Sequence, residues 1–553
     1  MIGIKIFRSL FYFILAAVGL FVGLQLSFTF YFNAKIKTEL QTAISNQTKG
    51  EYKIEIGNLG INIFTQSIYI TDFLIKPEYH GTISAPKYFV RAAQVNFINI
   101  GIISLVAKKD LIISSIEVVE PSGYIYRNSN RSGKSLADSV SHFSIYDLLK
   151  SSIHAVEVAT IEIDNADIRI YDDYRDSIPA IMSKQNELRV SNIKIDSTVD
   201  AAGKLFMAEK VNLVINQFSY TTKDSLYSFH VNKLVTSYTE GALLIDSLEV
   251  LPNYSKLKFA HHAGQQTDRI KIYAASLKFS EMDVKLFFER NWFIAKNLEI
   301  DKLFISAYRD KNDSRIPNRP KSVQALLKSI PIYAAIDSIH LKGSDIIYEE
   351  VAEGGTSPGR ISFTKVAATI SGFTSDTTLF SKYNSLVVKA QGKFMNVGKI
   401  DVEYVFPLNT DEMVFDCSGK LLDMPMAAIN PMLEPNANVT MKSGKIDAMF
   451  FSFHANDDFA KGKMKFIYHN LKLDFLNKKE KKSGPVEDVL AFLVHKLIIK
   501  ENNPSQNESI RITEINNPRH KGRFIFNYTW KSLLSGIKPA IGLPERLSRP
   551  LKK

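Results

Sequence analysis

Apolar and polar residues alternate along most of this chain. In "IEIDNADIRIYDD", residues 161–173, Ile161 and Ile163 lie on one side of an extended strand and Glu162 on the other, because strand side chains alternate with a period of two. Asp164, Asn165, Ala166 and Asp167 carry the short polar or small side chains that suit a turn. Ile168 and Ile170 then resume the alternation around Arg169. Folded as a hairpin, the segment sets Ile163 opposite Ile168, Ile161 opposite Ile170 and Glu162 opposite Arg169. Such an opposite-charge pair contributes roughly 0.2–1 kcal/mol.

The pattern returns. Leu298, Ile300 and Ile305 share its spacing, as do Ile339, Leu341 and Ile346. An earlier copy, Ile116-Glu117-Val118 with Tyr124-Ile125-Tyr126, has a loop one residue longer. Several copies end in tyrosine followed by a charged residue. The reading is a degenerate repeat of hairpins, spaced too irregularly for a short-period solenoid. Each hairpin leaves one apolar face that must be covered, by another sheet face in a packed core or by something from outside the chain.

Strand patterns fill residues 51–310 and 336–475, with short helical interruptions near 144–152, 281–290 and 322–331. The polar, proline-punctuated stretch 309–322 marks a boundary or an exposed loop. The expected organisation is a tail (1–8), an anchor (9–34), a β-rich region (35–310), a linker with a short helix (311–330), a second β-rich region (331–476) and a final segment (477–553). That final segment opens with the basic loop 477–485. It continues with an apolar helix containing Val489, Leu490, Phe492, Leu493, Leu497 and Ile498, either a core helix or a cap on an apolar opening. Residues 530–542 form a second short amphipathic candidate, suited to a membrane surface.

Residues 9–34 carry no charge. As a helix they extend roughly 39 Å, enough for a hydrocarbon core of about 30 Å. Lys5 and Arg8 before them favour a cytoplasmic N-terminus, although Lys35 and Lys37 follow. Without a small-x-small cleavage site, the stretch reads as an uncleaved single-pass anchor, with the bulk of the chain outside the cytoplasm.

Net charge is +12. Much of the excess sits near the end, where Arg519, Lys521, Arg523, Lys531, Lys538, Arg546, Arg549, Lys552 and Lys553 face only Glu545. They are candidates for contact with anionic head groups or an acidic partner. No nucleic-acid-binding pattern appears, and none is expected beyond a membrane. The single cysteine, Cys417, excludes an internal disulfide framework.

Catalytic motifs are missing. "RSGKS" at 131–135 has Asn128 where a phosphate loop needs glycine, and "GGTSPG" at 354–359 leads into no helical pattern. His261 and His262, adjacent in a strand, would point to opposite faces. "HANDD" at 454–458 lacks the further oxygen ligands a hard cation requires. No enzyme activity, cofactor or metal site is expected.

The segment "GEYKIEIGNLGINIFTQSIYITDFLIKPEY" after the anchor resembles the start of bacterial AsmA-like proteins. So does "VNFINIGIISLVAKKDLIISSIEVVEPSGYIYRNSNRSGKSL", and "NVTMKSGKIDAMFFSFHANDDFAKGKMKFIYHNLKLDFL" resembles the family's C-terminal region. The resemblance implies a mainly β fold: an elongated, twisted antiparallel sheet curled into a groove with an apolar inner face. It implies an inner-membrane-anchored protein in the periplasm of a Gram-negative bacterium, with phospholipid or another envelope lipid as partner and a part in lipid transport or outer-membrane lipid homeostasis. On that reading Ile161, Ile163, Ile168, Ile170, Leu298, Ile300, Ile305, Ile339, Leu341 and Ile346 face the groove. The alternatives are a non-enzymatic scaffold that assists outer-membrane proteins through exposed β-edges, and a glycan-cleaving enzyme that would need two converging carboxylates.

Overall fold

The computed structural model describes residues 37–543, apart from 79–86, 128–152, 174–175, 202–206, 314–319, 477–498 and a few positions between 39 and 49, at 238 and between 377 and 382. The expected anchor, the 131–135 motif, the 144–152 helix, the basic loop and apolar helix of 477–498, and Arg546, Arg549, Lys552 and Lys553 therefore lie outside the described residues. Among the described residues no helix is long and apolar enough to cross a membrane. The fold is mainly β. Two compact units emerge: Met1–Tyr220 with Val231–Glu240, and Thr221–His230 with Gly241–Lys553.

In the first unit, β1 (Tyr52–Glu55) and β2 (Asn58–Asn62) lie end to end along β3 (Ser67–Pro77). β3 pairs with β4 (Lys87–Ile100), and helix α1 (Ile102–Lys108) leads on to β5 (Asp110–Val119) and β6 (Ser122–Tyr126), both antiparallel to β4. β5 and β6 run parallel to β7 (Ala155–Tyr171). Antiparallel order resumes through β8 (Ile181–Asp196), which precedes helix α2 (Ser197–Ala201), and β9 (Lys210–Thr221). The division between units passes through β10 (Tyr227–Ser237).

The second unit repeats this plan and extends it. β11 (Ala242–Pro252), followed by helix α3 (Lys256–Ala263), pairs with β12 (Arg269–Met282). Helix α4 (Val284–Arg290) leads to β13 (Trp292–Asp301) and β14 (Phe304–Asp310), both antiparallel to β12 and parallel to β15 (Tyr333–Val351). An antiparallel run follows: β16 (Pro358–Thr374), β17 (Ser385–Phe394), β18 (Gly398–Pro407), β19 (Phe415–Pro425), β20 (Val439–Ala455), β21 (Phe459–Phe475) and β22 (Ile512–Pro518). The crossover from β14 to β15 carries helix α5 (Val323–Lys328). Residues 311–330 thus lie between two paired strands. Helix α6 (Asn430–Ala437) lies between β19 and β20, and helix α7 (Ile525–Ala540) follows β22.

Two expectations are corrected. The sheet is mixed, with a parallel seam in each unit, not antiparallel throughout. The four hairpins are also not hairpins. Residues 161–171 continue one strand, as do 339–350, while 116–126 and 298–310 are consecutive strands lying along one partner. The short residues read as a turn form a bulge, with Asn165 at φ 56° and Gly343 at φ 60°. One left-handed residue bends a strand without reversing it, and asparagine and glycine tolerate that conformation best. Glu162 accordingly meets Arg189 of β8 at 3.0 Å, not Arg169.

The repeat itself is real, and longer than the hairpin. From Lys87 to Arg269 is 182 residues (269 less 87), and the starts of α1 and α4, β5 and β13, and β6 and β14 keep that same interval. Left-handed Asn99, Lys109 and Glu120 recur as Glu281, Asn291 and Lys302. The seams are clamped alike. The Glu120 and Asp167 N–H groups donate to the carbonyls of Asp164 (3.1 Å) and Pro121 (2.8 Å); Lys302 and Asp345 donate to Lys342 (2.9 Å) and Leu303 (2.8 Å). Asp167 Oδ1 accepts from the Gln185 N–H at 3.2 Å, and Asp345 Oδ1 from the Lys365 N–H at 2.9 Å.

Candidate apolar binding site

Bulges decide which residues share a face. Ile70 and Ile75 of β3 are an odd number apart and would oppose each other in a regular strand. Asp72 between them sits at φ 51°, and both join one cluster with Ile54 and Leu59. The same phase shift keeps the candidate groove residues together. Ile161 lies beside Ile116 and Ile163 beside Val118; Ile168 and Ile170 lie beside Gly123 and Ile125. In the second unit Leu298 lies beside Ile339, Ile300 beside Leu341, and Ile305 beside Ile346. Leu298 and Ile339 are buried, Ile168 is 40% exposed, and the others are half-buried. The opposite face is polar, with ion pairs between neighbouring strands such as Lys342 with Glu299 (3.1 Å) and Lys420 with Asp401 (2.9 Å).

Of the ten candidates only Ile346 reaches the best-formed apolar space, a cavity of about 370 Å³ inside the second unit. Pockets for small ligands generally occupy about 300–1,000 Å³. The sheet supplies Phe363, Phe394, Met424 and Phe451 among others, and α7 supplies Phe526, Trp530, Leu533 and Ile537. Only Gln391, Tyr404, Thr529 and Trp530 bring a side-chain hydrogen-bonding group to the lining. Tyr404 Oη donates to Thr529 Oγ1 at 3.3 Å. Behind it Cys417 is buried, which pushes its thiol pKa up to about 12 and keeps it a protonated, inert group.

Helix α7 walls one side of the cavity because of its two apolar faces. Ser532, Gly536 and Ala540, four residues apart, form a narrow face against β21 and β22. A Cβ on Gly536 would lie 3.1 Å from Met464 and Ile515 side-chain atoms, so the helix sits as close as a small residue allows. Thr513 Oγ1 donates to the Gly536 carbonyl at 2.8 Å. The bulky face, repeating at three and four residues, is thereby left toward the cavity.

Next to it, Arg309 forks onto Asp268 at 2.6 and 3.0 Å, and Lys311 pairs with Glu350 at 2.5 Å. Tyr348 Oη donates to Glu350 at 2.8 Å, and its ring lies 5.2 Å from that of Phe526 on the cavity wall. Burial raises the pKa of Asp268 despite Arg309. Among the described residues no group of three or more His, Cys, Asp or Glu side chains could hold a metal ion.

The basic residues proposed for a membrane surface scatter. Arg519 is 2% exposed and paired with Asp457, so it is withdrawn from any surface. Lys521 lies 3.4 Å from Asp458, and Arg523 donates to Gln266 Oε1 at 3.2 Å. Lys531 and Lys538 are half-buried on α7. The strand pattern did not reveal the cavity. One available signal was methionine, since eight of the twelve fall between 395 and 464, and flexible thioethers suit an adaptable lining. No family model and no curated protein matches this chain.

Proposed function

We propose that the chain is an AsmA-like envelope protein, anchored in the inner membrane by residues 9–34 with its bulk in the periplasm. On this reading it holds lipid acyl chains on its apolar β face and contributes to phospholipid transport or outer-membrane lipid homeostasis. The observation that carries the reading is the 370 Å³ cavity, a partly open space between one sheet face and α7 that is lined almost wholly by apolar side chains. The continuity of the isoleucine face across each parallel seam supports it. A diacyl lipid carries on the order of thirty methylenes, each costing about 0.8 kcal/mol to expose to water. More than ~20 kcal/mol therefore opposes unaided aqueous crossing, and an apolar lining removes much of it without a catalytic group.

The test is mass spectrometry of lipids retained by the purified protein, with Val402→Phe as the informative variant. Val402 lines the cavity and is half-buried, so a larger ring fills space there. The expected result is stoichiometric phospholipid or fatty acyl species on the native chain and several-fold less on the variant, at unchanged melting temperature. A folded, lipid-free native chain would sink the proposal and favour a scaffold for outer-membrane proteins.

A further inference from the structure

Helix α1 leaves its apolar side uncovered. Ile103 is 84% exposed, Val106 79% and Ile102 44%, and Phe64, in the turn between β2 and β3, is 57% exposed. The repeat supplies an internal control. Val284, at the place of Ile102 in α4, is 4% exposed, and the residue in register with Ile103 is Lys285. The same helix in the same topological position is thus anchored by a buried valine in one copy and carries exposed isoleucine and valine in the other. Exposed Lys108 and Lys109 border the apolar side of α1.

The start of the described chain runs along this part of the sheet. The described residues between 37 and 46 are helical and run beside β1. Gln41 Nε2 donates to the Ile54 carbonyl at 3.1 Å, and Lys37 Nζ to the Gly57 carbonyl at 3.3 Å. Going back from Gln41 to Lys37, the chain moves toward β2 and the Phe64 turn. Ile100 at the start of α1 donates its N–H to the Gln66 carbonyl at 2.8 Å, which places the Phe64 turn and α1 at the same end of the sheet. Lys37, the first described residue, therefore lies toward the end that carries Phe64, Ile102, Ile103 and Val106, and the uncharged 9–34 stretch precedes it in the sequence.

We propose that this end of the first unit docks on the bilayer that residues 9–34 enter, with Ile103, Val106 and Phe64 dipping into the interface and Lys108 and Lys109 at the head groups. An amphipathic segment of this kind buries its apolar side about 5–10 Å into the head-group and acyl boundary. The inference rests on the anchor reading and not on acyl-chain binding in the cavity.

The experiment places a thiol-reactive fluorophore at Ile103→Cys, Val106→Cys or Ile178→Cys in the full chain. The chain is reconstituted in phosphatidylethanolamine–phosphatidylglycerol vesicles bearing shallow nitroxide lipids. Ile178 is 79% exposed and joins β7 to β8 at the other end of the sheet, and native Cys417 is 1% exposed and stays unlabelled. Probes at 103 and 106 should be quenched several-fold more by the nitroxide than the probe at 178, with the reverse order for aqueous iodide. Equal quenching at the three sites in a carbonate-resistant, anchored chain overturns the docking surface alone. A chain released by alkaline carbonate overturns the anchor and the docking surface together.

Discussion

Among the described residues of the first unit, the buried apolar face comes as separate small clusters, one of four residues around Ile54 and another of six around Ile113. In the second unit, 28 buried residues join in a single cluster around Phe415 and Tyr528. The strands alternate in the same way in both, so period alone does not produce the difference. Side-chain reach and a covering helix do. The buried members of the first-unit clusters are isoleucine, leucine and valine, and half-buried Phe97 is the residue that packs against both clusters. The second uses phenylalanine, methionine and tyrosine, and Phe415 has the rings of Phe406, Phe453 and Tyr528 at 5.7–6.0 Å. A face of short aliphatic chains with no long helix over it among the described residues is only half buried by them, and that is where an outside occupant would lower the free energy most.

Core truncation separates the two regions with the largest effect. Phe415 is 0% exposed, and Phe415→Ala should cost about 3–5 kcal/mol, read from the loss of the tryptophan transition, since both tryptophans, Trp292 and Trp530, lie in the second unit. Ile163→Ala removes a half-buried side chain and should cost less than half as much, measured by amide exchange on β7. Equal costs would mean that the isoleucine face is as tightly packed as the core, and the comparison would fail.

Much of this contrast was hidden in the sequence for physical reasons. Alternation reports which residues share a face only until a bulge shifts the phase. "DNAD" at 164–167 uses the same short side chains in a bulge as in a turn, so Ile163 and Ile168 were legible as companions but not as members of one strand. Parallel pairing was invisible because β5 and β7 meet across a long crossover. The 182-residue interval was available in principle, through Tyr126-Arg127 and Tyr308-Arg309, but few identities accompany it. The cavity gathers residues from 346 to 541, beyond any local window. Charge counting misplaced Arg519 because its partner Asp457 lies far back along the chain.

Acid should divide the units in a smaller but signed way. Asp196 accepts from the Thr198 hydroxyl at 2.6 Å and the Val199 N–H at 3.0 Å, with Lys194 at 3.0 Å, and these contacts hold its carboxyl well below the usual range. Its stabilisation is present above an unfolded pKa near 4 and is lost as pH falls through the lower folded value. Asp268 has the opposite sign: burial raises its pKa, so its contribution is greatest below about pH 4 and is lost as pH rises through the folded value. Asp196→Ala should therefore cost about 1 kcal/mol at neutral pH and progressively less on acidification. Asp268→Asn should become relatively less damaging as pH rises. Parallel pH slopes for the two variants, in denaturant titrations at pH 3, 5 and 7, would contradict these assignments.

The smallest test compares the two copies of the bulge. Gly343 sits at φ 60°, and a Cβ added there would meet nothing within 4 Å. Gly343→Ala therefore isolates the conformational term, about 1–2 kcal/mol for an L-residue in the left-handed region. Asn165, at φ 56° in the other copy, already bears part of that cost, and Asn165→Gly should change stability by only a few tenths of a kcal/mol, since asparagine tolerates this region. Gly343→Asn should then recover part of what Gly343→Ala loses. If alanine at 343 were harmless, the strand would be able to abandon its bulge. Ile346 would then rotate off the face it shares with Ile305, and the equivalence of the two seams would not survive.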